Sequence, residues 1–401
     1  MAPTRLNLQR LPAEIVELIC EHLEDHDLIS IRTVCTALYY HSVKTCGYRL
    51  FSAIGTNLSR KSLEAIREQF SNSRFSPCVH HLKIQSSWLE RANDLGRGFT
   101  WKRTICGRLE YDNEGIKALE QILFNIFPNC RSFSFAPNLD DRERIPTDVK
   151  DVIMTMDCVS IIFLIGTETG MPIHGFHMIR SRFTYLDDLQ EYAPGFLVDT
   201  WYRCPLRLLA TKPFKESWSH LTDLSLAFEL SSTSSYRAPD WVKALLSGTP
   251  SLTSLDLTLH RIGIMMPQDF LDVLCSPRRK YNLRTLALSS VGMPWEDLLR
   301  LLDAHRNSLT SLQLHHSSFP YRRGHVTLLN ELASMLPHLD FMSFGWLFPT
   351  LDNDEQISSE DRQGVTIWSG MRNSERQVFR TSYSGSEIVR ACGIMLKALE
   401  E

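Results

Sequence analysis

The sequence predicts an α/β chain in which a small helical block precedes an irregular solenoid, with parallel strands on its concave face and helices on its convex face. Three patterns carry that prediction: helical apolar spacing over residues 11–45, an apolar triplet that recurs about every thirty residues, and an amphipathic segment ahead of the clearest copies. At 401 residues the chain exceeds what one ordinary core organises, so several domains or a stacked array are required.

The helical block reads LPAEIVELICEHLEDHDLISIRTVCTALYYHSVKT. Ile15, Leu18, Ile19 and Leu23 recur at helical spacing, and Pro12 stands where a first turn tolerates a residue without an N–H. A helix from Pro12 to about Leu23 follows. The polar run Glu24–Asp27 breaks the pattern, and Asp27 is placed to cap a second helix through Leu28, Ile31, Val34 and Cys35. A third segment, Thr36–Tyr48, carries Leu38, Tyr39 and Val43 and predicts a further helix. So short a block buries little surface alone and needs a partner or the rest of the chain.

The triplet L-x-x-L-x-L is clearest at Leu221-Leu224-Leu226, Leu252-Leu255-Leu257, Leu283-Leu286-Leu288 and Leu309-Leu312-Leu314. Weaker copies are Val79-Leu82-Ile84, Cys130-Phe133-Phe135 and Leu339-Met342-Phe344. Each ends with the period of a strand, and Asp240–Leu246, Pro267–Leu274, Pro294–Leu302 and Val326–Leu336 read as the intervening helices. A unit of one helix and one strand cannot bury both apolar faces by itself, so neighbours must stack. Between Leu139 and Pro213 the pattern is lost. Val152–Ile165 predicts a buried helix or strand, whereas Met171–His177 and Arg203–Lys212 fit neither template, and degenerate repeats with insertions are expected there. After Phe348 a polar stretch, Asp352–Arg362, gives way to alternation at Gly364–Trp368 and Gln377–Phe379, then to an expected terminal helix over Ser386–Leu399 that caps the array.

Composition narrows the function. A hydrophobic share of 43% with 22% charged residues belongs to chains that fold, and a net charge of -3 supplies no field for drawing nucleic acid or an anionic membrane. Neither partner is expected. The first ten residues lack the apolar run of a secretory signal, and Val152–Ile165 is too short to span a bilayer, so an intracellular, cytoplasmic or nuclear, placement is expected. The cysteines, such as Cys20, Cys78, Cys130 and Cys275, lie scattered singly and read as reduced thiols.

The block Leu11–Val43 resembles an F-box: Leu11-Pro12, then Glu14-Ile15, Leu18-Ile19 with Leu23, a polar corner at Asp25–Leu28, and Val34-Cys35 closing the second helix. Leu38 stands where many members carry an aromatic, with Tyr39 or Tyr40 expected to take its place. The resemblance implies binding to a Skp-type adaptor, and through it to a cullin and a RING subunit. It implies that Leu11, Pro12, Ile15, Leu18, Leu23, Leu28, Val34 and Cys35 supply the adaptor contact and internal packing. The body is similar to long, irregular leucine-rich repeats, as in many fungal F-box proteins, although Thr258-Leu259-His260 follows a strand where an asparagine is expected. The expected organisation is an F-box at 8–50, a helical linker at 51–74, the repeat body at 75–348, degenerate at 140–215, and a cap at 349–401. The implied role is the substrate-recognition subunit of a Skp–cullin–F-box ubiquitin ligase, or alternatively an adaptor-bound scaffold outside the ligase.

Side chains alternating with the triplets form the default ligand surface. Asp256, Gln313 and His315, with Lys83 from a weak copy, are the expected contacts to an unidentified protein substrate. The set is nearly neutral, which favours a folded or mixed-polarity partner over a heavily phosphorylated peptide. His22 and His26, four apart beside Asp25, read as exposed side chains, and no metal or cofactor is expected. The mixture Arg97, Phe99, Trp101, Lys102, Arg103 and Arg108 has the makings of a nucleic-acid surface but reads better as an insertion anchored by Trp101. Phosphate-cradling glycine loops, nucleophile elbows and Cys-x-x-Cys pairs are missing, so the expected contribution to rate is proximity, not chemistry.

Overall fold

The computed structural model describes residues 11–85, 94–136, 153–178, 196–197, 206–229, 238–260, 268–276, 281–289, 291–315, 335–345, 367–368 and 378–384. The chain divides into two compact units, residues 1–140 with 145–161 and residues 141–144 with 162–401.

The first unit opens with three helices, α1 (Ala13–His22), α2 (Asp25–Val34) and α3 (Thr36–Leu50). Their core is Val16, Cys20, Leu28, Leu38 and Cys46, with Leu11, Leu23, Ile31, Cys35, Leu50 and Phe51 packed against it. Two expectations are corrected. α2 begins at Asp25, not after Asp27; Glu24 holds the extended cap position, and Asp25 and Asp27 stand in the first turn, where free N–H groups favour carboxylates. Leu38, 1% exposed, itself fills the site expected to need an aromatic, and Tyr39 and Tyr40 lie outside the core.

The strand array begins at β1 (Ala53–Thr56), inside the segment read from sequence as a helical linker. α4 (Arg60–Phe70) follows, started by Ser59, whose hydroxyl accepts from the Ser62 N–H, and it buries Leu63, Ile66 and Phe70 at helical spacing. Then come β2 (His81–Ile84), α5 (Glu114–Gln121) running into a π turn at Ile122–Ile126, and β3 (Ser132–Phe135). The three strands pair in parallel, with Gly55, Lys83 and Ser134 in one row. α6 (Thr155–Thr169) starts in this unit and continues into the second. Asp157 in its first turn is 1% exposed, accepts from the Met154 N–H at 3.0 Å and takes both Arg103 nitrogens at 2.9 and 2.8 Å. Such fork-to-fork pairing is what keeps a buried carboxylate tolerable.

The second unit contains, in chain order, β4 (Gly175–Met178), β5 (Phe196–Leu197), α7 (Leu206–Leu209), α8 (Lys212–Trp218), β6 (Asp223–Glu229), α9 (Ala238–Ser247), β7 (Ser254–His260), α10 (Gln268–Leu274), β8 (Thr285–Ser289), α11 (Trp295–Ala304), β9 (Ser311–His315), β10 (Phe341–Gly345), β11 (Ile367–Trp368) and β12 (Val378–Ser384). Strands β4, β6, β7, β8, β9 and β10 lie side by side in parallel, and β5 pairs in parallel with the end of β6. The array then turns antiparallel, β12 against β10 and β11 against β12, with β11 and β12 inside the segment expected as the cap. The leucines of the triplets from 221 to 314 are each 2% exposed or less, which is the burial the repeat requires.

The turn chemistry left open by the missing asparagine is supplied at the start of each strand. Thr253 and Ser254 N–H both donate to the Thr222 carbonyl at 2.9 Å, Arg284 and Thr285 to Thr253, Thr310 and Ser311 to Arg284, and Asp340 and Phe341 to Thr310. Threonine hydroxyls reinforce the stack, Thr253 Oγ1 donating to the Thr222 carbonyl at 3.1 Å and Thr310 Oγ1 to that of Arg284 at 3.2 Å. Within the stretch that lacked a pattern, Ile173, Phe176 and Met178 keep the triplet spacing and are fully buried, which corrects the reading of Met171–His177 as unplaced. Phe163, Phe176, Phe214 and Trp218 form one cluster, ring centroids 5.0–5.4 Å apart. The expected helices over Ser386–Leu399 and nearly all of Val326–Leu336 lie outside the described residues.

Candidate functional site

The eight residues expected at the adaptor contact divide into three groups. Leu28 is fully buried in the core of the helical block, and Leu11, Leu23 and Cys35 are partly buried against it. Pro12 is exposed, and Ile15, Leu18 and Val34 are 43%, 51% and 64% exposed. Ile29 joins them at 54%, a residue sequence reasoning passed over because Leu28 and Ile31 occupied the inner face of the same helix. Three-residue spacing on α1 sets Ile15 and Leu18 on one side, while Val16 and Cys20 point inward. The core is therefore closed without the exposed set, whose apolar area stands in water.

The block is held firmly where α3 ends. Arg49 donates to the Leu23 carbonyl and to the Asp25 carboxylate, fastening the last turn of α3 to the corner between α1 and α2. Phe51 stacks on Phe75 with centroids 4.5 Å apart. The Arg32 guanidinium lies 4.6 Å from the Tyr39 ring and 4.9 Å from that of Phe75, and donates to Cys46 Sγ at 2.7 Å. His80 and His81 N–H both donate to the Ser52 carbonyl, so the helical block passes into the first strands without a loose joint.

The strand-face candidates are only partly brought together. Register puts Ser225, Asp256, Ala287, Gln313 and Ser343 in one row, with His177 beside Ser225. Two strand spacings, about 10 Å, separate Asp256 from Gln313. His315 lies one row on, with Thr258 and Ser289, and Lys83 sits on β2 of the first unit. Asp256 is half-buried and accepts from Ser225 Oγ at 3.0 Å; burial pushes its carboxyl up, against the pull of that bond. Burial likewise holds His177 below its usual value, opposed by Asp223. His177, Ser225 and Asp256 thus share one row, with the Ser225 hydroxyl donating to the Asp256 carboxylate.

The other candidates have structural roles. His26 contacts the Glu24 and Asp27 carboxylates at 3.4 and 3.2 Å on the surface. Phe99 and Trp101 are each 3% exposed, Trp101 Nε1 donating to the Gly96 carbonyl, so neither ring is a free stacking platform; Lys102 pairs with Asp112, and Arg103 is committed to Asp157. Among the described residues no helix is long and apolar enough to cross a membrane.

The helical block of the first unit closes its own core while leaving Ile15, Leu18 and Val34 in water. Residues 8–48 match the F-box domain family, so the chain carries an F-box domain, and such domains generally bind Skp-type adaptors. F-box proteins are typically non-catalytic substrate receptors. No curated protein matches the chain.

Proposed function

We propose that the chain is the substrate-recognition subunit of a Skp–cullin–F-box ubiquitin ligase. Ile15, Leu18 and Val34 with Pro12 form its adaptor face, and its leucine-rich body captures the target protein. The observation that supports this reading is the exposure of those side chains on helices whose core closes without them. Asp256 and Gln313, in one row, with His315 beside them, are the substrate contacts of the second unit, and Lys83 those of the first. The receptor does no chemistry: it holds a target lysine near the charged conjugating enzyme, converting an encounter into an effectively intramolecular step.

Full burial of an Ile or Leu is worth about 1.5–3 kcal/mol; these two, half-exposed in the free chain, retain roughly half of that for a partner. Ile15→Asp/Leu18→Asp also forces carboxylates into the contact, and adaptor affinity should fall by about a hundredfold or more. Its melting temperature should match wild type, whereas the core variant Leu28→Ala should lose fold and adaptor together. Retention of the adaptor by Ile15→Asp/Leu18→Asp in co-purification would refute the assignment. Recovery of adaptor without cullin would assign the chain to a scaffold outside the ligase.

A further inference from the structure

Charge is segregated along the first unit. Between Leu11 and Asp27 lie Glu14, Glu17, Glu21, Glu24 and two aspartates with no Lys or Arg, whereas no Asp or Glu occurs from Leu28 to Leu63, nor from Gln69 to Gln85. Tyr40, Lys44 and Tyr48 recur four apart on α3 and all three are exposed. The Arg74 guanidinium lies 5.0 Å from the Tyr40 ring, and His80 stacks on Tyr48 with centroids 5.7 Å apart and planes at 7°. Arg49 and Arg60 are answered by Asp25 and Glu114. Among the described residues no carboxylate pairs with Lys44 or Arg74.

We propose that this face holds a short, extended, acidic peptide segment of a partner protein. Its carboxylates lie on Lys44 and Arg74, and the tyrosine hydroxyls donate beside them. The spacing suits that occupant: neighbours one helical turn apart are about 6 Å from each other, and alternate side chains of an extended chain about 7 Å. Nucleic acid fits less well, because Tyr40 is covered by Arg74 and met edge-on by Tyr39, and Tyr48 is covered by His80, leaving little ring face for a base. Tyr40, Lys44 and Tyr48 lie on α3 within the residues that match the F-box, whereas Arg74 and His80 follow that block.

The test uses the full chain and a fluorescent peptide of alternating Glu and Ser, with a Gln-for-Glu peptide as control. Binding of the Glu peptide alone is expected, weakened about tenfold by Lys44→Glu/Arg74→Glu and progressively by salt. Lys44→Gln/Arg74→Gln, which removes charge without reversing it, should fall between, and both variants should melt with wild type. Equal affinity for wild type and the reversed variant would overturn the proposal. So would an oligouridine that displaces the peptide at lower concentration than the peptide itself, or a wild-type self-association abolished by the same substitutions.

Discussion

Gly47 lies in the interior of α3, where alanine ordinarily stabilises a helix by about 1 kcal/mol. The opposite result is expected here. A methyl group at this position would stand 2.5 Å from Cys78 Sγ, 3.2 Å from Cys78 Cβ and 3.3 Å from Phe75 Cδ1. Carbon contacts are comfortable at about 3.5–4.0 Å, so the sulfur must move by roughly 1 Å. Overpacking of that order costs about 1–3 kcal/mol, which exceeds the propensity gain and leaves Gly47→Ala destabilising by up to about 2 kcal/mol. Cys78 is half-buried and burial pushes its thiol up, so the clash is with a neutral group and salt should not relieve it. In the Cys78→Ala background the sulfur is gone, the nearest contacts relax, and Gly47→Ala should become neutral or mildly stabilising. Urea unfolding of the four chains, with hydrogen exchange of the α3 amides as a local probe, yields a coupling of about 1–2 kcal/mol. If Gly47→Ala costs the same in both backgrounds, the close approach of α3 to the first repeat is not what excludes a side chain.

Two further outcomes concern protonation in the second unit. Burial raises the Asp256 carboxyl above its unfolded value of 3.8, so its contribution to stability is present below that value and is lost as pH rises through the raised one. Asp256→Asn should therefore raise the melting temperature near neutral pH, by an amount that shrinks as pH falls toward about 4; a lower melting temperature at neutral pH would contradict this. His305 is 3% exposed, and among the described residues neither ring nitrogen has a hydrogen-bond partner at normal geometry; burial lowers its pKa, with the Leu274 and Tyr281 backbones opposing. The unfolded chain thus binds this proton more readily, and stability is lost as pH drops below about 6.5 toward the lowered value. Urea midpoints of His305→Leu should fall less than those of wild type between about pH 7 and about pH 5, and parallel slopes would sink the assignment.

Much of the body was legible because its repeat is a local pattern. Leu255 and Leu257 announce a strand in any context, and α9, α10 and α11 were visible as amphipathic segments before the strands they precede or follow. β4 escaped because Ile173, Phe176 and Met178 satisfy the same three positions with different side chains, and a search for leucine passes over them. β1 escaped for a similar reason, since Phe51, Ile54 and Thr56 keep the spacing while Gly55 interrupts the composition. The threonines at 222, 253 and 310 were in plain sight, but their function is to reach the carbonyl one repeat back, a distance along the chain that no local pattern encodes.

By itself the sequence determined the class of protein, the three N-terminal helices and the stacking of helix–strand units, because periodicity and turn chemistry act over a few residues at a time. Only the tertiary structure separated Leu28, which holds the helical block together, from Ile15, Leu18 and Val34, which lie open to a partner. It alone set Asp256 and Gln313 in one row, two strands apart, while leaving His315 a row away and Lys83 in another unit, and it alone put Arg74 over Tyr40. An apolar residue at helical spacing is compatible with either face of a helix until its neighbours are known. Burial and long-range register are properties of the packed chain, set by contacts between residues far apart in sequence.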